Sequence, residues 1–101
     1  MARFDLYAAP DGTSGYWLDV QVNLLDAMST RVVLPLVPIE DFPRPARGLN
    51  PVFEIDGARF VMLTHFIGAV PRKQLSKHVS SLAAERDTIT AALDMLLFTG
   101  I

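Results

Sequence analysis

The chain is 101 residues long, half of them hydrophobic and a fifth charged, the make-up of a single domain, residues 1–101, able to bury a core without disulfides or metal. Nine basic and eleven acidic side chains leave a net charge of −2, which excludes a generic phosphate-binding surface, and the absence of cysteine excludes a thiol nucleophile or a Cys-ligated zinc. The opening MARFDLYAAPDG has no apolar signal core and Pro35, Pro38 and Asp94 break the longest apolar runs, so a soluble cytoplasmic protein with no membrane partner is expected.

Residues 3–8 alternate, with Phe4, Leu6 and Tyr7, and predict a first strand. The PDGTSG cluster at 10–15 predicts a turn. Residues 16–22 predict a second strand with Trp17, Asp19 and Gln21 on one face and Tyr16, Leu18, Val20 and Val22 on the other. The denser run at 31–37 reads as a strand covered on both faces, and Pro35 within it should sit at an edge or bulge. Residues 38–50, with three prolines and mixed charge, predict a surface loop. Asp56-Gly57 between the apolar runs 51–55 and 59–64 predicts a hairpin, and residues 66–70 could add a short strand.

The last segment predicts a helix capped by Ser80 or Ser81 and closed near Gly100. Leu82, Ile89, Ala92, Leu93, Leu96 and Leu97 share one face at helical spacing. Ala84, Ala91, Met95 and Phe98 form a second apolar stripe, beside Asp87, Thr90 and Asp94, which points to extra core contacts or to a protein contact. Short antiparallel strands ending in one helix make a small α+β or barrel-like domain.

No catalytic motif stands out: there is no GxSxG, no HExxH, no phosphate-cradling glycine loop and no recognised carboxylate pair. His65, among Leu63, Thr64 and Phe66, reads as a hydrogen-bonded structural residue, and His78 beside Lys77 as a solvated one. Two features point instead to binding. Leu24 and Leu25 at a strand exit cannot both face one core, so either one meets another chain or a bend buries both. The run Thr99-Gly100-Ile101 follows the helix directly, as a short tail suited to a partner's pocket.

The order Asp19-Val20-Gln21, Leu24-Leu25-Asp26, Arg31-x-Val33-x-Pro35-Leu36, Pro51-Val52-Phe53 and the ending Phe98-Thr99-Gly100-Ile101 resembles the CcdB family of toxin–antitoxin modules, over essentially the whole chain. The resemblance implies an SH3-like antiparallel barrel of about five strands, a small accessory sheet and a C-terminal helix, paired as a homodimer. It also implies a toxin that is not an enzyme and needs no cofactor or metal. Such toxins bind the A subunit of DNA gyrase and trap it on cleaved DNA, in plasmid-maintenance and chromosomal modules alike. A CcdA-like antitoxin neutralises them by folding a disordered tail onto the dimer, with the 40–47 loop as part of its surface.

Carried over by position, the gyrase-binding residues are Leu24, Leu25, Met95, Thr99, Gly100 and Ile101. The family usually ends Trp-Gly-Ile, with the tryptophan stacked on arginines of gyrase A; Thr99 has no π-face, which removes a contact worth about 0.5–2 kcal/mol. Two alternatives stand beside gyrase poisoning. One is an RNA-cleaving toxin on the related barrel, against which the acidic balance counts. The other is a non-toxic relative that acts as an antitoxin decoy, which Thr99 would suit.

Overall fold

The computed structural model describes residues 2–10, 14–25 and 27–98. Seven strands appear there: β1 (Asp5–Ala8), β2 (Tyr16–Asp19), β3 (Thr30–Pro38), β4 (Val52–Ile55), β5 (Ala58–Met62), β6 (Gly68–Pro71) and β7 (His78–Ser81), followed by helix α1 (Arg86–Leu97). All neighbouring strands are antiparallel, in the order β4-β5-β3-β2-β1-β7, with β6 pairing β3 off that path. The sheet curls into a half-barrel with one C-terminal helix, the mainly-β α+β class expected. Its strands number seven in one connected sheet rather than five plus an accessory sheet.

Period-two alternation explains both faces. Register stacks Leu6 on Leu18 and Leu18 on Leu34, three fully buried leucines in one row, and sets Leu36 between Tyr16 and Met62 in the next. Ile89 and Ala92 of α1, both fully buried, join this cluster. On the opposite face Tyr7, Val33 and Leu75 form a smaller buried cluster, with Trp17 and Val70 against it. Residues 31–37 are therefore covered on both sides, as their dense apolar run predicts.

β3 forks. Thr30–Val33 pairs with β6 and Leu36–Pro38 with β5, leaving Pro35 at the fork, where its missing N–H interrupts neither of those ladders. Its carbonyl accepts the Leu63 N–H at 2.9 Å. At the β4–β5 turn Asp56 and Gly57 both have positive φ, 52° and 81°, as the Asp-Gly pair predicts. Gly15 is demanded by proximity: a Cβ there would lie 2.4 Å from the Leu36 carbonyl oxygen.

Four expectations change. Ser80 and Ser81 do not cap the helix; they belong to β7, which pairs with β1 through Leu6↔Ser80 and Asp5↔Ser81. A 3₁₀ turn, Ala83–Glu85, intervenes before α1, and Glu85 at its N-cap makes no side-chain capping bond. Leu97 is 57% exposed, so the docked face is narrower than the periodic leucines suggest. The second strand ends at Asp19, and a 3₁₀ turn, Thr64–Phe66, precedes β6. Gly100, the expected helix stop, lies outside the described residues. Among the described residues no helix is long and apolar enough to cross a membrane.

Candidate functional site

The chain leaving β2 is tied down by buried polar groups. Asp19 Oδ2 accepts from Arg31 Nε at 2.9 Å and pairs with Nη2 at 2.6 Å, with both side chains fully buried. Asp19 Oδ1 accepts the Gln21 N–H at 3.0 Å. Gln21 in turn donates to the Leu25 carbonyl at 2.9 Å and accepts the Val32 N–H at 3.1 Å, while Asn23 Oδ1 accepts the Arg3 N–H at 2.8 Å. Burial pushes the Asp19 carboxyl above the ordinary aspartate range, against the pull of Arg31 and the Gln21 N–H.

This framework holds a 3₁₀ turn, Asn23–Leu25, that lifts both leucines out of the core: Leu24 is 88% and Leu25 46% exposed. Neither is buried by a bend. Leu24 lines a cleft of about 340 Å³ with Arg3, Phe4, Asn23, Ala83 and Arg86, at the start of α1.

Met95 stands toward the other end of that helix. It lies nine positions beyond Arg86, about 14 Å along the axis, so Leu24 and Met95 flank opposite ends of α1. Met95 is 43% exposed, with its Cε close over Gly48. Leu97 and Phe98 are more exposed still, and Phe98, of the second stripe, reaches 79%. The second apolar stripe thus leaves an apolar helix end on the surface. Thr99, Gly100 and Ile101 lie outside the described residues.

Further polar groups shape the surroundings, Asn50 among them without a signal in the sequence. Asn50 is buried; its Oδ1 accepts the Ala46 N–H at 3.0 Å and its Nδ2 donates to the Met62 carbonyl at 3.0 Å, anchoring the proline-rich loop to the sheet. Asn50 Nδ2 also lies 3.4 Å from Nδ1 of His65, whose exposed ring meets Phe66 edge-on with centroids 4.6 Å apart. His78 is half exposed yet held: Nε2 is 3.4 Å from Asp5 Oδ1 and its ring meets the buried Tyr7 edge-on. A second cavity, about 880 Å³, lies between Ser29, Thr30, Pro71, Arg72, Lys73 and Leu75. Among the described residues no group of three or more acidic or histidine side chains is arranged to hold a metal.

Residues 3–100 match the family described as CcdB protein. No curated protein matches the chain in sequence. Two of the solved structures that share its fold illustrate the likeness. One, an endoribonuclease in complex with its cognate antitoxin from Mycobacterial species, superposes with a TM-score of 0.79 at 16% identity, covering 100% of this chain and 98% of that one. The other, an endoribonuclease from Mycobacterial species, gives 0.77 at 16% identity, with 96% and 90% covered. With nearly its whole length matched, the chain belongs to the CcdB family, a family of toxins of toxin–antitoxin systems.

Proposed function

We propose that this CcdB-family member is a toxin that acts by binding the A subunit of DNA gyrase and trapping it on cleaved DNA, without enzymatic activity of its own. The observation that carries this reading is the exposed apolar end of α1, where Met95, Leu97 and Phe98 lead directly into Thr99, Gly100 and Ile101. Exposed methionine and aromatic side chains at that end, with the exposed aliphatic pair Leu24-Leu25 near the opposite end of the helix, are the make-up of an adaptable protein contact. A homodimer presents two such ends to a target that is itself two-fold symmetric. A CcdA-like antitoxin is the neutralising partner, with the 40–47 loop within its reach; the mycobacterial endoribonuclease solved with its cognate antitoxin supports a partner of that kind.

A second reading is RNA cleavage. It is favoured by the endoribonuclease function of the two structures with this fold and by His78, whose Nε2 faces Asp5 next to Lys77 in the chain. A carboxylate-oriented imidazole near a cation is the kind of group that serves a general base at a ribose hydroxyl. Purified protein incubated with plasmid, gyrase and ATP separates the two readings. Linear DNA after detergent and protease treatment is the result expected. Intact plasmid, together with loss of cellular RNA on induction that His78→Ala prevents, would replace gyrase poisoning with RNA cleavage.

A further inference from the structure

We propose that the cleft at the start of α1 receives a carboxylate side chain of a partner protein, held between the guanidinium groups of Arg3 and Arg86 with Leu24 as the adjoining apolar anchor. The inference rests on the reading that this chain acts by binding a protein, and it adds the chemistry that the partner must present.

Both arginines line one cleft of about 340 Å³. Arg3 is set in place: its Nε donates to the Val20 carbonyl at 3.3 Å and its guanidinium carbon lies 4.7 Å from the centre of the Phe4 ring. Arg86 is exposed and, among the described residues, pairs with no acidic group. Glu85 and Asp87, its neighbours in the chain, do not line the cleft. Two cationic side chains lining one cleft raise its positive potential, and a carboxylate entering it can accept from both in charge-assisted hydrogen bonds.

The floor is rigid. Phe4 is buried, its N–H donates to the Asp19 carbonyl at 2.6 Å, and its own carbonyl accepts the Leu82 N–H at 2.8 Å. Those two bonds hold Phe4 at φ +73°, so the cleft is formed before any partner arrives. The rim is aliphatic, with Leu24 88% and Val22 46% exposed. A nucleic-acid backbone would need a run of cations instead of that rim, and the chain carries a net charge of −2. An acidic side chain flanked by apolar ones fits both parts.

The test uses the full chain, isotope-labelled, and a capped Leu-Glu-Leu peptide at millimolar concentration, with Leu-Gln-Leu and a short RNA oligonucleotide as comparisons. The acidic peptide is expected to shift the amide resonances of 22–24 and 83–86, the glutamine peptide to leave them in place, and Arg86→Gln to abolish the shifts without moving the melting temperature. No shift, equal shifts from both peptides, or shifts from RNA alone would overturn the carboxylate site. In parallel, calorimetry against the gyrase A subunit should show Arg86→Gln and Arg3→Gln each binding roughly tenfold more weakly than wild type. Wild-type binding with no loss in either variant would overturn the site at that partner. Failure of the wild type to bind gyrase A would remove the gyrase reading, while the peptide result decides the cleft on its own.

Discussion

A Cβ placed on Gly48 would stand 2.7 Å from Met95 Cε, and the backbone there has φ +82°. Gly48→Ala should therefore cost about 1–3 kcal/mol, nearly all of it from the left-handed backbone, because Met95 Cε ends a flexible, half-exposed side chain that can swing aside. Urea unfolding checks this. With Met95→Ala in the background nearly the whole cost should remain, because it lies in the backbone. The Asp19–Arg31 pair behaves differently, since each buried charge is balanced by the other. Asp19→Ala leaves a buried guanidinium without its carboxylate and should destabilise by about 3–5 kcal/mol. Replacing both, with Asp19→Leu and Arg31→Met, should recover most of that loss. A double variant as unstable as the single one would mean that the other Arg31 contacts, including the Gln21 carbonyl at 3.5 Å, matter more than the ion pair. Neither effect was legible in the sequence. The pair is twelve residues apart, and only the β2–β3 register, with Asp19 opposite Val33, brings the two side chains together. The exposure of Leu24 and Leu25 was only partly legible: adjacent leucines cannot share one strand face, which left either one exposed or both buried by a bend, and the 3₁₀ turn instead exposes both.

At the scale of elements, what could be read locally was right and what depended on pairing was not. The Asp56-Gly57 hairpin and the buried run of β3 carry their own turn chemistry and apolar density. β7 carries neither: its four residues are all exposed and it exists through hydrogen bonds to β1, so its serines resembled helix caps. The 38–50 segment, read from its prolines as a surface loop, does lie at the surface, and buried Asn50 pins it to the sheet. β1 also carries the clearest pH dependence. Burial, and then the negative charges of Asp5 and Asp19, push the Tyr7 hydroxyl above its ordinary value of 10.0. The folded state therefore holds this proton more tightly than the unfolded chain. Its contribution is complete below pH 10.0 and is lost as pH rises above that value. Denaturant unfolding of wild type and Tyr7→Phe should show a constant difference in stability up to that point. Above it, wild type should lose stability faster than the variant. Parallel curves throughout would mean that Tyr7 ionises equally well in both states.

For the whole molecule, the packed core and the exposed apolar helix end occupy separate parts of the chain. The main cluster draws on the sheet and on Ile89, Ala92 and Leu93 of α1, while the apolar surface that favours a protein contact begins at Met95 and increases to Phe98. Deleting Thr99, Gly100 and Ile101 should therefore shift the unfolding free energy by no more than about 0.5 kcal/mol. The same deletion should abolish growth arrest on induction and the gyrase-dependent linear DNA, and leave antitoxin binding unchanged, because the surface proposed for the antitoxin lies on the 40–47 loop. Thr99→Trp moves the opposite way: restoring an aromatic face offers cation–π stacking of about 0.5–2 kcal/mol to the gyrase arginines and should raise the yield of cleaved complex. A truncated chain that still arrests growth would separate toxicity from the helix end. With gyrase untouched and RNA lost in the same cells, the activity would then belong to the half-exposed His78 held against Asp5.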